Sequence, residues 1–314
     1  MIIVESRASV VLYNYLVSNR PAKPILLPAN VCPIVPATFH KAKTAFHFVD
    51  IDESHAMNKE HAYQHLKSDQ YGGLLFVHAY GKQFNNTDFY AAVKKLSDAL
   101  IIIDDRCLCI PSVFEQANQI SDLQLFSTGY SKFVELGTWG YGFISRGNYE
   151  RNKLVYSESD YAALMNQFKV SIKGRKKFHY KEGSWLDSEP NIDNVDNYLH
   201  EIKEKIPEIK KHKESINQIY QDKLPKVIQY PDTYHNWRFN IRVDNPETLI
   251  DAITDAGLFA GRNYPSLSTI FGNKNCPVAQ FEGEQIVNLF NDFRFDEKMA
   301  VKLSQVILDV LHTG

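Results

Sequence analysis

The sequence is poor in the features that mark several protein classes. It has only four cysteines in 314 residues, Cys32, Cys107, Cys109 and Cys276, and they form no recognisable disulfide framework. Cys107 and Cys109 are too close together for the usual zinc-ligand spacing. They read as buried free thiols, and no metal site is expected. No apolar run approaches the ~18 residues that a membrane span needs. The opening MIIVESRAS lacks the basic stretch and long apolar core of a signal peptide. A reduced, cytoplasmic protein without membrane contact is the expectation. An excess of one charge is also missing. Lys and Arg number 35 against 37 Asp and Glu, a net charge of -2, so no global field calls for nucleic acid or an anionic surface. The Lys- and Glu-rich run from Lys203 to Lys213 is of mixed sign and reads as a solvated helix face. No basic helix-turn-helix extension, internal repeat or low-complexity tract is visible.

What the chain does have is a rhythm. Hydrophobic residues make up 44%, enough to build one large domain or two unequal ones. In the first half, short apolar runs alternate with helical patterns. The runs are Ile25 to Pro28, Phe46 to Ile51, Gly72 to His78, Ala99 to Asp105, Asp122 to Ser127 and Gly140 to Ser145. The helical patterns are Ser9 to Val17, Val35 to Lys41 and Asp88 to Ser97. Runs with little polar alternation suit strands buried on both faces. Their alternation with helices predicts an α/β fold with a mostly parallel central sheet and helices on both faces. From Tyr149 to Pro190 the pattern turns polar and irregular. A long helix is expected from Asn194 to about Lys223, kinked near Pro207. A strand (Trp237 to Val243) and two helices (Pro246 to Ala256, Asp296 to Leu311) follow. The spacing predicts a large domain over 1–190 and a smaller C-terminal α/β domain over 191–314.

Parallel sheets bind ligands beyond the carboxyl ends of their strands, so residues that end the apolar runs carry the functional interest. The run ALIIIDDRCLCIP ends in Asp104 and Asp105. Aspartate is a poor strand former, and either one puts an anion where a cationic ligand nitrogen would sit. The run DLQLFSTGYSKF ends in Ser127 and Thr128, with Lys132 just beyond and Gly137, Gly140 and Gly142 after it. The glycines suggest close backbone approach to a ligand, and the hydroxyls suggest anion binding. GTWGYG is not a dinucleotide fingerprint, because its spacing is reversed and it precedes a strand. His78 ends a third run, either lining a pocket or satisfied at a strand end. Tyr130 either touches substrate or packs. A lysine amine, a carboxylate and a phosphate cup are together what pyridoxal 5'-phosphate (PLP) requires.

The order of these segments resembles the DegT/DnrJ/EryC1/StrS family of PLP enzymes, mostly aminotransferases acting on nucleotide-linked keto-sugars. The family's strand ending in Glu-Asp is matched by Asp104-Asp105. Its Phe-Ser, four residues, Schiff-base lysine is matched by Phe126, Ser127 and Lys132. FHFVDID, LLFVHAYG and GRNYPSL resemble its Asp-x-Asp, His-x-Tyr-Gly and Tyr-x-Pro-Leu segments. The resemblance implies PLP transferase fold type I, with Lys132 carrying the cofactor and Asp105 partnering its pyridine nitrogen. It implies phosphate contacts from Ser127, Ser6 and Arg7, and further cofactor contacts from Asn30 and His78. It also implies a homodimer with sites at the subunit interface, where Asn263, Tyr264 and the segment from Lys176 to Trp185 are candidates. Three departures stand out. Arg7-Ala8 replaces the usual Gly-Thr, no aromatic side chain is present in LPANVCP, and GSWLDSEPNIDN lacks an arginine. The family's N-terminal arm is also expected to be missing. The missing arm and the missing arginine weigh on the nucleotide-sugar assignment more than on PLP. The expected activity is transfer of an amino group from an amino acid, with glutamate the family donor, to a carbonyl acceptor. The alternative is a PLP lyase, dehydratase or non-transaminating protein acting on a non-sugar substrate.

Overall fold

The structure, a computed structural model, describes residues 1–114, 120–189, 192–272 and 276–313. Its main sheet has seven strands. They are β1 (Ile2–Glu5), β2 (Ile25–Pro28), β3 (Phe46–Val49), β4 (Gly73–Val77), β5 (Ile101–Asp105), β6 (Leu123–Ser127) and β7 (Gly140–Ile144). Their order across the sheet is β1-β7-β6-β5-β4-β2-β3. β7 runs antiparallel to both its neighbours, and the other pairings are parallel. β2, β4 and β7 are buried at every position, which explains why their sequences carry no polar alternation. The apolar runs expected to be strands are strands. β1 was not anticipated, although Ile2, Ile3 and Val4 supply the apolar residues it needs.

Helices α1 (Ala8–Asn19), α2 (Ile34–Lys41), α3 (Lys59–Lys67) and α4 (Thr87–Leu96) connect the early strands. Side-chain alternation along each strand divides the core. Leu27, Leu75, Ile103 and Leu125 pack with α1 and α2 on one face. Leu26, Leu74, Phe76 and Ile102 pack with α3 and α4 on the other.

The segment expected to be irregular contains α5 (Glu158–Gly174), a 17-residue helix. Its start was legible after all: the Ser157 side chain caps it by accepting from the Asp160 N–H at 3.2 Å, the serine-x-x-acid signature of a helix N-terminus. Next comes α6 (Val195–Lys223), which continues through Pro207. Tyr198, Ile202 and Ile209 of its first half pack on Val4, Phe126 and Tyr141. Ile216 and Tyr220 of its second half join the core of a second sheet. The expected domain boundary at 190/191 lies outside the described residues. The Lys203–Lys213 run is a solvated face except at its end. Lys213 shares the inward stripe with Ile209, Ile216 and Tyr220, is 3% exposed, and donates to Trp237 O (2.8 Å) and Asn291 Oδ1 (2.7 Å). Burial pushes its pKa down to about 7, against the pull of Asp292.

The second sheet comprises β8 (Phe239–Arg242), β9 (Ala260–Gly261) and β10 (Ile286–Leu289), ordered β8-β10-β9 and antiparallel. Around it and back toward the large sheet lie α7 (Pro246–Asp255), α8 (Ser268–Phe271), α9 (Pro277–Gln285) and α10 (Glu297–Thr313). Leu249 of α7 and Leu303 of α10 pack in the small core. Ile270 of α8 and Ala279 of α9 instead join the α1 and α2 face of the large one. Among the described residues, no helix is long and apolar enough to cross a membrane.

Gly140, where β7 begins, shows how tightly α1 is seated. A Cβ there would lie 2.1 Å from Ala8 N and 2.4 Å from Ala8 Cα. Neither atom can move without shifting the helix start. Gly140→Ala is expected to destabilise the fold by about 1–3 kcal/mol, read as a lower urea midpoint. An unchanged midpoint would show that α1 can retreat freely.

Candidate active site

The topology brings several strand ends to one edge. β5 and β6 end there in Asp105 and Ser127, β1 leads there into α1, and β7 starts there opposite both Glu5 and Ser127. A cavity of about 260 Å³ opens at this edge, and Arg7, Ser9, Asp105, Ser127 and Lys132 are among the residues that line it.

Asp105 and Asp104 diverge because adjacent strand residues face opposite ways. Asp105 lies on the α1 face and lines the cavity. Its Oδ1 accepts from the Cys107 N–H at 2.9 Å. Burial raises its pKa, while the Cys107 hydrogen bonds and the nearby charge of Lys132 pull it back. Asp104 points to the α4 face and is fully buried. His78 Nε2 (2.8 Å), Tyr90 OH (2.5 Å) and Arg106 Nε (2.6 Å) all donate to it. Burial alone would raise its pKa, but these partners hold it at about 2. The structure thus offers Asp105 to a ligand and commits Asp104 to the core.

Lys132 sits in the turn after β6. Among the described residues its ammonium makes no hydrogen bond or ion pair. The turn is tight: Ser127 Oγ accepts from the Gly129 N–H (3.3 Å), and Ser131 takes a positive φ of 59°.

The other end of the cavity suits an anion. The first turn of α1 has no side-chain cap, and the Ala8 and Ser9 N–H groups meet no acceptor among the described residues, as expected for a helix start. Arg7 Cζ lies 5.2 Å from the Tyr161 ring centre and 5.9 Å from that of Tyr156. It pairs with no carboxylate among the described residues. Ser127 lines the same cavity.

Three expected cofactor contacts are placed elsewhere. Ser6 is buried and its hydroxyl donates to Asp187 O. Its own carbonyl accepts from Trp139 N (2.7 Å) and Thr138 Oγ1 (2.9 Å), so it braces the cavity wall from behind. Asn30 Nδ2 donates to His55 O (2.9 Å), beside a buried cluster in which His55 and Tyr80 both donate to Glu282. Cys32 lines the cavity in its stead. His78 is the satisfied strand-end histidine: beyond its bond to Asp104, its Nδ1 accepts from the Phe84 N–H at 2.9 Å.

Of the three glycines after Lys132, only Gly137 lines the cavity. Gly140 and Gly142 are small because α1 and β6 crowd them, a close approach of protein rather than of ligand. The sequence reading missed Trp139, Tyr161 and Cys107 as wall residues. Trp139 has a positive φ of 74°, which no local sequence pattern announces. Trp185, included only as part of a possible interface segment, lines this chain's own cavity.

This donor set fits PLP. Among the described residues, the cavity carries a lysine amine with no hydrogen bond or ion pair and, at a helix start, an arginine with no carboxylate partner. Asp105 is the one carboxylate among the described lining residues, and it is buried.

No protein-family model matches the chain, and no curated protein matches it either. Solved structures do. PseC of Helicobacter pylori, an aminotransferase involved in the biosynthesis of pseudoaminic acid, superposes with a TM-score of 0.73 at 13% identity, over 100% of this chain and 87% of that one. Spr1654 of Streptococcus pneumoniae in its PMP form, assigned as a sugar aminotransferase, gives 0.73 at 15% identity, over 99% and 88%. A DegT DnrJ EryC1 StrS aminotransferase of Brucella abortus gives 0.67 at 16%, over 98% and 85%. From its first strand to its last helix, this chain has the fold of these aminotransferases.

Proposed function

We propose that the chain is a PLP-dependent aminotransferase. In this reading it moves an amino group from an amino acid, glutamate first, to a carbonyl acceptor of the nucleotide-linked keto-sugar class, and it acts as a homodimer. The observation that carries the reading is a single cavity holding Lys132, Asp105, Ser127, Arg7 and the open start of α1. The sugar aminotransferases among the structural neighbours support the acceptor class.

Lys132 would hold the cofactor covalently. Ser127, Arg7 and the Ala8 and Ser9 amides would hold its phosphate, where helix dipole and guanidinium act together. Asp105 would keep a proton on the ring nitrogen. Bound there, PLP supplies an electron sink for breaking bonds at the substrate carbon next to nitrogen. The Lys132 amine would also be the base at hand to move the Cα proton of an amino substrate. Trp139, Trp185 and Tyr161 wall the cavity and keep water from that proton transfer.

Visible absorption tests the reading. Purified protein given PLP is expected to develop an absorption band that glutamate converts to the pyridoxamine phosphate form, with no band in Lys132→Ala. No band in the wild-type protein would remove the cofactor assignment. A band indifferent to every amino acid would remove amino transfer in favour of a lyase or dehydratase.

A further inference from the structure

The turn that carries Lys132 is gripped from outside its own domain. Trp237, just before β8, is 4% exposed and donates its indole N–H to Ser131 O at 2.5 Å. Its ring lies parallel to that of Tyr264, with 6.1 Å between centroids and 6° between planes. Lys213 fixes the Trp237 carbonyl (2.8 Å) and places its ammonium 5.5 Å from the Phe133 ring centre. A second tether lies on the surface. Glu135 Oε2 accepts from the Ser131 N–H (2.7 Å), and Arg294 donates to both Glu135 oxygens (3.1 and 2.5 Å).

Ser131 is therefore held at both its carbonyl and its amide while in the left-handed conformation, which costs a non-glycine residue energy and persists where surroundings impose it. The next residue is Lys132. We infer that Trp237 and Arg294 are positioning residues: from the small-sheet side they clamp Ser131 and thereby keep the Lys132 amine inside the cavity. The inference rests on the cofactor reading for its meaning in catalysis, but the clamp can be measured without cofactor. Neither residue lines the cavity, so each acts through the turn. A misplacement of about 1 Å at a reacting amine is enough to cost on the order of a hundredfold in rate.

Trp237→Phe keeps an aromatic ring against Tyr264 and removes the N–H. Arg294→Gln, at a partly exposed position, frees Glu135 with little risk to folding. Each variant is compared with wild type by amide hydrogen exchange over residues 131–135 and by the rate at which a lysine-acylating reagent labels Lys132, read by mass spectrometry. Losing one hydrogen bond of this kind is expected to speed exchange about tenfold in Trp237→Phe. Arg294→Gln should give a smaller increase, and Lys132 should label several-fold faster in both. In the PLP-loaded protein, kcat should fall about tenfold or more with KM for the amino donor nearly unchanged. Wild-type exchange and labelling in folded Trp237→Phe would overturn the role of Trp237. The same result in Arg294→Gln would overturn the second tether, and that variant decides the clamp should Trp237→Phe not fold. If wild type takes up no PLP at Lys132, the cofactor reading fails while the exchange result still decides the clamp.

Discussion

Lys132→Ala is expected to lower turnover by at least about 10³-fold, within the range lost when a positioned general base is removed. It should leave the thermal midpoint nearly unchanged. The two expectations come from one observation: within the described residues the ammonium supports no hydrogen bond or ion pair, so the fold loses little with it. The amine faces a cavity whose described carboxylate lining is Asp105 alone. Turnover with an amino donor and PLP, measured beside a melting curve, checks both. Normal turnover would remove Lys132 from the mechanism. A collapse of the melting transition would mark it as structural. Asp105→Asn makes the companion test. It should still bind cofactor but slow the proton-transfer step by about 10²-fold or more, because a neutral amide cannot stabilise a protonated ring nitrogen.

Asp104→Asn should do the reverse, destabilising the protein by about 3–5 kcal/mol, the usual cost of removing one partner from a buried charged pair. The buried carboxylate accepts from His78, Tyr90 and Arg106. An amide leaves the Arg106 guanidinium without its counterion. Urea unfolding of the two neighbouring variants gives the comparison, with a large loss for Asp104→Asn and little for Asp105→Asn. A reversal would mean that the two side chains have exchanged faces. The sign of the pH dependence follows from the depressed pKa. With its carboxyl held at about 2 in the folded protein against about 3.9 when unfolded, Asp104 contributes stability above pH ~4 that fades as pH falls toward 2. The Asp104→Asn variant should lack that part of the acid-unfolding profile.

The strand ends were legible because a strand buried on both faces has a simple sequence: an apolar run, then an abrupt polar residue. That pattern located Asp104, Asp105, Ser127 and Lys132. Which aspartate faces the cavity was not legible from strand character alone. It depends on whether Ile102 or Ile103 shares a face with α1, and only the assembled sheet decides that. Asn30 came from the family resemblance and His78 from its place at the end of an apolar run, criteria that find the right edge of the sheet but not the right face. Helix α5 was missed because its apolar residues do not keep to one face: Leu164 and Phe168 are buried while Met165 and Val170 are exposed. Trp139, Trp185 and Trp237 come from three distant segments, and each acquires its role through contacts far along the chain. Lys213 looked like one more surface lysine because charge pattern alone does not tell which turn of a long helix crosses an interface.

The antiparallel strand β7 also sets an order of events. β1 has no neighbour in the sheet except β7, pairing Ile2 with Phe143 and Glu5 with Gly140. During synthesis β1 must therefore wait for its place in the sheet until residues 140–144 have emerged. Only then is the start of α1 carried to the edge where Asp105 and Lys132 stand. The anion end of the cavity is contributed by residues at the start of α1 and the lysine end by the turn between β6 and β7, more than a hundred residues further along the chain. A nascent chain should thus acquire the ability to hold a ligand across both ends in one late step rather than gradually, as expected where closure of a long loop precedes its reward. A ligand that bridges the two ends then stabilises the longest-range pairing in the large sheet by mass action.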